Sequence, residues 1–218
     1  MDLVEHNGGT TRGEYACSLV MTDPCSGWTE VRAVRNKAQV WVFDALQYSL
    51  GRIPFQVDGL HSDGGSEFIN AHLERFCKER GIIFTRSRAY NKNDAPYVES
   101  KNWSMVRVYA GYRRYNTEEE RRILRAMMRL VSIKHNLFIP TMKLIEKRRD
   151  GRRLRKRYSV DTPFARLLDS QKLSDAKKTR LVRMRECCNY FRLIEAIATL
   201  AKKLDRAYNN KYHPKEAA

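Results

Sequence analysis

The order of apolar patterns along the first 116 residues is the feature that most constrains the fold. Two stretches rich in strand-forming residues, "EYACSLVMTD" and "WTEVRAVR", flank the turn sequence "PCSG" and predict an antiparallel hairpin. Helical and strand-like patterns then alternate in the order "NKAQVWVFDALQYSLG" (helix), "FQVDGLHSD" (strand), "EFINAHLERFCKERG" (helix), "IIFTRS" (strand) and "YNKNDAPYVESKNWSMVRVYAGYRRY" (helix). A hairpin followed by such alternation predicts a mixed α/β sheet with helices on its faces.

The second half of the chain has helical periodicity that is interrupted by a strongly basic segment. Residues 143–157 contain nine Lys or Arg in fifteen positions, and the nearby Pro140 and Gly151 indicate an exposed segment without a core of its own. From about residue 181 to 208, apolar residues recur at steps of three and four, which predicts one long amphipathic helix.

Charge is divided unevenly between the two parts of the chain. Residues 1–99 carry 11 Lys and Arg against 13 Asp and Glu, whereas residues 100–218 carry 31 against 12. A balance of −2 followed by one of +19 favours a polyanionic partner held mainly by the second part. DNA or RNA is the first expectation, and an anionic membrane surface is the second.

Composition and cysteine use narrow the class of protein. With 42% hydrophobic and 31% charged residues, the chain has the composition of a folded soluble protein, and no apolar run approaches the roughly 20 residues of a membrane helix. The five cysteines form no C-x-x-C pair, and no signal peptide is evident. These features predict a cytoplasmic protein, associated with the nucleoid when bound to DNA.

Three acidic residues occupy suggestive places in the predicted elements. Asp2 begins an alternating strand, Asp63 closes the strand before two glycines, and Glu99 lies in the long helix, with 35 residues between the last two. Each has a structural alternative, since Asp-Gly-Gly is a common turn, an exposed helical Glu is ordinary, and a residue beside the first Met is often frayed. Asp23 is a rival for Asp2, although Asp-Pro favours turn initiation, and Glu67 is better explained by a helix N-terminus than by a metal.

The fragments "DLVEHNGG", "SDGGSEF" and "NKNDAPYVESKN" together resemble the catalytic core of insertion-sequence transposases and retroviral integrases, and "TPFARLL" extends the resemblance to about residue 168. The resemblance implies a ribonuclease-H-like mixed five-stranded sheet flanked by helices, followed by a basic, mainly helical C-terminal extension. It divides the chain into a catalytic core (1–116), a helical and basic DNA-binding connecting region (117–169) and a C-terminal amphipathic helix (170–218). One departure is Gly64, which stands where the family usually has Asn.

The resemblance also implies the chemistry. Asp2, Asp63 and Glu99 would be the catalytic acids and the ligands of two Mg²⁺ ions, for which Mn²⁺ is expected to substitute. Hard oxygen ligands suit these ions, and a metal pair activates the attacking oxygen and relieves charge on the leaving oxygen. The partners implied are transposon-end and target DNA, a homo-oligomer that forms a synaptic complex, and no membrane.

Positively charged and amide side chains on the Glu99 helix and in the basic segment are the predicted DNA contacts, with a solvated face as the alternative for the helix. They are Lys101, Asn102, Arg107, Arg113, Arg114, Lys147, Arg148, Arg149, Arg152, Arg153, Arg155, Lys156 and Arg157.

Three functions remain open from the sequence. The favoured one is a metal-dependent DNA strand transferase that cleaves and joins DNA; because Met1 stands beside Asp2, we expect an N-terminally truncated member that lacks an upstream helix-turn-helix region. The second is a catalytically inactive remnant that only binds nucleic acid. The third is a ribonuclease-H-type nuclease, which would cut a hybrid duplex without joining ends.

Overall fold

The first three strands form an antiparallel sheet that organises the N-terminal part of the molecule. The computed structural model describes residues 1–62, 65, 71–87, 100–151 and 153–212. Strands β1 (Asp2–Glu5), β2 (Cys17–Thr22) and β3 (Thr29–Val34) lie in the order β1-β2-β3. The hairpin predicted from "PCSG" is confirmed, with Cys17 paired to Val34 and Thr22 to Thr29.

A second, parallel sheet follows the first helix. Helix α1 spans Gln39–Leu50, and strand β4 (Gly59–Ser62) pairs with β5 (Ile83–Arg86) across helix α2 (Ala71–Glu79). A π-helix (Asn102–Arg107) runs directly into the short helix α3 (Val108–Ala110). The predicted alternation of helices and strands is therefore present in the described residues.

The prediction of a five-stranded sheet is wrong for the described residues, which form sheets of three, two and two strands. The amino group of Met1 donates to the carbonyl oxygen of His61 at 2.5 Å, so the start of β1 lies beside the end of β4. Strands that meet end to start overlap too little to form a continuous ladder, because every additional hydrogen bond needs residues side by side. The mixed α/β class is confirmed.

Both faces of the three-stranded sheet are covered by helices. Successive strand residues point to opposite faces. Val20 and Val31 therefore pack on one side with Met127 of helix α4 (Glu118–Phe138), while Leu19 packs on the other with Leu46 of α1. The sequence predicted a sheet covered by helices. In the structure, this arrangement places β1 between two apolar layers.

The described residues of the C-terminal part form helices and one exposed β-hairpin. Strands β6 (Thr141–Asp150) and β7 (Arg153–Asp161) form an antiparallel pair, here called the ribbon. Helix α5 (Pro163–Asp169) follows, capped by the Thr162 hydroxyl, which accepts from the Ala165 amide at 3.1 Å. The basic interruption of the helical pattern is thus a pair of strands, which its polar sequence did not predict.

The predicted single helix over residues 181–208 is wrong, because two helices occupy this part of the chain. Helix α6 spans Asp175–Glu186 and α7 spans Tyr190–Tyr212. Asn189 separates them, since its side-chain oxygen accepts from the Arg192 amide at 3.0 Å, as an N-cap does at the start of a new helix. The apolar stripe of α7 packs on α4, and none of the described helices is long and apolar enough to cross a membrane.

Candidate catalytic site and nucleic-acid interface

Asp2 is the one predicted catalytic acid among the described residues, and its carboxylate has two hydrogen-bond donors. Its Oδ2 accepts from the Asn102 amide nitrogen at 2.5 Å, and its Oδ1 accepts from the backbone amide of Leu3 at 2.7 Å. Asn102 begins the π-helix, 100 residues further along the chain. This bond therefore joins the start of the first strand to the start of that helix.

The end of β4 lies beside the same point. The Met1 amino group contacts the His61 carbonyl, and the His61 ring lies between two hydroxyls, 2.9 Å from Thr85 Oγ1 and 3.0 Å from Ser87 Oγ. These contacts hold the last residues of β4 against β5. Ser62, the final residue of β4, immediately precedes Asp63 in sequence.

Asp63 and Glu99, together with Gly64 and Glu67, lie outside the described residues. Within the described part of the chain, no group of three or more His, Cys, Asp or Glu side chains is arranged to hold a metal ion. The assignment of the two acids as metal ligands therefore stays a prediction.

The oxygen atoms of Asp2 and Asn102 are suitable ligands for a hard cation. The Asp2 carboxylate is half-buried, and the Asn102 side-chain oxygen is buried with no hydrogen-bond partner in the described structure. A buried amide oxygen without a donor is uncommon and costly. Carboxylate and amide oxygens are ligands that Mg²⁺ and Ca²⁺ accept, so the residues present fit such an ion.

Lys101, a predicted DNA contact, lies in a half-buried position against α4. Its Nζ is 3.1 Å from His135 Nε2, and that nitrogen is 3.3 Å from the Gly27 carbonyl oxygen. Burial, with Arg166 nearby, lowers the pKa of Lys101 to about 8. Burial, and then the charge of Lys101, lowers the pKa of His135 to about 3, so the imidazole is neutral and can accept a hydrogen bond from the ammonium.

The three arginines that follow have partners within the molecule. Arg107 donates to the Glu5 carbonyl at 2.9 Å, and Arg113 contacts the Asp205 carboxylate of α7 at 2.5 Å. The Arg114 guanidinium donates to the carbonyl oxygens of four residues, Asn7, Thr10, Arg12 and Glu14. These contacts join the end of the π-helix to β1, and the residues after α3 to the β1–β2 connection and to α7. A role in DNA binding stays a prediction for each arginine.

The basic segment predicted to bind DNA is the ribbon. Its described side chains are almost all exposed, and its base is bonded to the rest of the molecule: Lys143 Nζ donates to the Cys25 carbonyl at 2.6 Å, and Arg166 Nη1 donates to Thr141 Oγ1 at 2.7 Å. Seven of its eight predicted DNA contacts are described, the exception being Arg152. The ribbon thus carries a dense positive charge away from the helical body.

Sequence reasoning proposed Asp2 as a site residue, which stays a prediction, and did not find the partners that surround it. Asn102 was predicted to contact DNA, which stays a prediction, and its amide nitrogen donates to the Asp2 carboxylate, which was not predicted. His135, which faces Lys101, was not singled out at all, because a lone His in a helical pattern carries no signal for a partner 34 residues away.

Comparisons with known proteins agree with the resemblance predicted from the sequence. Residues 1–92 match the family model of the integrase core domain. The chain is 38% identical over 163 residues to "Uncharacterized protein y4rM" of Sinorhizobium fredii, which covers 75% of this chain and 47% of that protein. The chain therefore spans about half the length of this relative.

Similar solved structures include two viral integrase domains. The catalytic core domain of BIV integrase is 21% identical, with a TM-score of 0.45, and covers 62% of this chain and 81% of that one. The HTLV-2 integrase catalytic core domain in complex with magnesium is 14% identical, with a TM-score of 0.46, and covers 63% and 82%. The family match thus lies in residues 1–92, the part of the chain where the resemblance places a catalytic core.

Proposed function

We propose that this chain, with its integrase-type core at residues 1–92, is the catalytic region of a DNA transposase or integrase that cleaves and joins DNA strands with divalent metal ions. The observation that carries the proposal is the convergence of three elements at Asp2. The start of β1, the end of β4 and the start of the π-helix are in contact there. Asp2 lies in β1, Asp63 immediately follows β4 in sequence, and Glu99 shortly precedes the π-helix.

In this proposal Asp2, Asp63 and Glu99 hold two Mg²⁺ ions. When bound, the ions lower the pKa of the attacking hydroxyl or water and neutralise charge at the leaving oxygen. Asn102 orients the Asp2 carboxylate through its amide nitrogen, so one carboxylate oxygen has a fixed direction before metal arrives. Outer partners of this kind set the affinity of a metal site.

The positive second half of the chain would hold the DNA. The ribbon offers exposed Lys and Arg side chains, and binding that relies on phosphate contacts is expected to weaken as salt rises. Joining two DNA ends also requires that they be brought together, which supports a homo-oligomeric complex. Transposon ends and target DNA are therefore the proposed partners.

Substitution of the predicted acids tests the activity directly. Strand transfer of a labelled duplex with a free 3′ hydroxyl into plasmid DNA, measured in Mn²⁺, is expected for the unmodified chain. Asp63→Asn and Glu99→Gln should each reduce it at least about 100-fold, since losing a metal ligand removes several kcal/mol of transition-state stabilisation. DNA binding by filter retention should stay within about twofold, because the ribbon is untouched.

Glu67→Gln is the matched control, because Glu67 is the acid nearest to Asp63 that we assign to a helix N-terminus and not to metal. Strand transfer by Glu67→Gln should equal that of the unmodified chain. Full transfer by either acid variant would refute the proposed site. Binding without cleavage by the unmodified chain would identify an inactive remnant, and cleavage of a hybrid duplex without joining would identify a nuclease.

A further inference from the structure

The ribbon has two chemically different faces. In an antiparallel pair, residues directly opposite each other project from the same face, and successive pairs alternate. The observed register, including the irregularity between Leu144 and Glu146, divides the described pairs accordingly. One face carries Met142/Val160, Leu144/Tyr158, Lys147/Lys156 and Arg149/Leu154, and the other carries Thr141/Asp161, Lys143/Ser159, Glu146/Arg157, Arg148/Arg155 and Asp150/Arg153.

The second face is here called the ion-paired face. Its carboxylates partly neutralise the positive charge of its arginines. Arg157 Nε lies 3.3 Å from Glu146 Oε2, and Arg155 Nη2 lies 3.3 Å from Asp150 Oδ2. Exposed pairs of this kind add little to folding stability. They do place carboxylates beside the arginines, and a carboxylate repels an approaching phosphate.

The first face, here called the open face, has no carboxylate among its described pairs. Lys147 and Lys156 stand directly opposite each other, and Arg149 follows towards the tip. Like charges in a directly opposed pair destabilise an antiparallel ladder. A bound anion between the two lysines would remove that repulsion. Arg148 and Arg155 are opposed in the same way on the ion-paired face, but the Asp150 carboxylate lies beside Arg155 there, so the open face is better suited to phosphate.

We infer that the ribbon binds duplex DNA through its open face, with Lys147, Lys156 and Arg149 on the phosphates and the ion-paired face turned away. This inference rests on the proposed function, in which DNA is the substrate. A two-stranded ribbon fits the major groove of B-DNA, which is about 12 Å wide. Proteins that hold single strands stack bases on several aromatic rings, whereas Tyr158 is the one aromatic side chain in the described ribbon.

Two double variants of equal charge change test the choice of face. Lys147→Gln with Lys156→Gln removes two charges from the open face, and Arg148→Gln with Arg155→Gln removes two from the other. Binding of each to a 30-base-pair duplex and to a single strand of the same length is measured by fluorescence anisotropy over a salt series. Circular dichroism and urea unfolding report on folding, and loss of the Lys147/Lys156 repulsion should leave the open-face variant no less stable.

The open-face variant is expected to bind the duplex about 10-fold more weakly or worse near 0.1 M salt, with the slope of log affinity against log salt reduced by about 2. The ion-paired-face variant should keep that slope. Equal losses in the two variants, or a larger loss in the arginine variant, would overturn the assignment of the face. A loss confined to the single strand would overturn the duplex assignment.

Neither outcome depends on catalysis. If the open face is wrong, the unmodified chain still transfers strands, whereas failure of the proposed function appears as absent metal-dependent cleavage with normal duplex binding. The two failures are therefore distinguishable.

Discussion

His6 is buried without charge in the layer beneath the candidate site. Its ring is fully buried, its Nε2 lies 2.9 Å from Ser18 Oγ, and its edge contacts the Tyr115 ring. Burial, and then the positive charge of Arg107, lowers the pKa of His6 to about 3. His135 has a similarly lowered pKa, so two imidazoles must stay neutral in the folded state.

We expect the chain to lose stability in acid through these histidines. Their folded pKa lies below the unfolded value of about 6.5, so the unfolded chain binds more protons between about pH 6.5 and pH 3. The free energy of unfolding therefore falls as pH decreases through this window, by on the order of 2 kcal/mol per histidine from pH 7 to pH 5. Urea unfolding at several pH values measures the slope.

Replacing His6 by Gln should reduce the slope of the free energy of unfolding against pH. The Gln amide can reach Ser18 but does not titrate in this range. His72→Gln, at an exposed position of α2, is the matched His-to-Gln substitution for comparison. An unaltered slope in His6→Gln would show that this imidazole is not kept neutral by folding.

At the scale of elements, α7 is joined to the start of α4 by one buried acid. Glu120 is fully buried and completes a capping box with Thr117. Although burial alone would raise its pKa, the ammonium of Lys211 at 2.8 Å and the amides of Thr117 and Asn116 lower it. Lys211 lies near the end of α7, so this contact fixes the end of α7 against the start of α4.

Lys211→Met is expected to destabilise the chain by about 2 kcal/mol, since it removes a charge-assisted bond from a buried carboxylate. Lys203→Met, at an exposed position of the same helix, is the control and should change stability by less than about 0.5 kcal/mol. Thermal unfolding compares the two. Equal effects would mean that Lys211 contributes no more than an exposed lysine.

Some elements could be predicted from sequence and others could not, for physical reasons. The β2–β3 hairpin and α1 have strong local signals in alternation, turn residues and helical spacing. The ribbon has no such signal, because its side chains are charged on both faces and no core imposes a period on them. The break between α6 and α7 depends on the Asn189 cap, which an uninterrupted apolar stripe concealed.

At the scale of the whole molecule, the order of the candidate acids could be predicted from the sequence, whereas the contacts among their elements could not. Asp2 and Asn102 meet across 100 residues, and Lys101 meets His135 across 34. Such contacts arise only from the packed fold. The single five-stranded sheet was predicted from the family resemblance, and the short overlap of β1 with β4 leaves two sheets in its place.

The most direct test of the central claim is the dependence of DNA cleavage and joining on divalent metal. Supercoiled plasmid and a labelled duplex are incubated with the full chain while Mg²⁺ or Mn²⁺ is titrated from zero, with duplex binding measured in parallel. We expect nicking and joining to appear together with added metal and to disappear with a chelator, while binding persists without metal. Duplex binding with no metal-dependent nicking at any concentration would contradict the account.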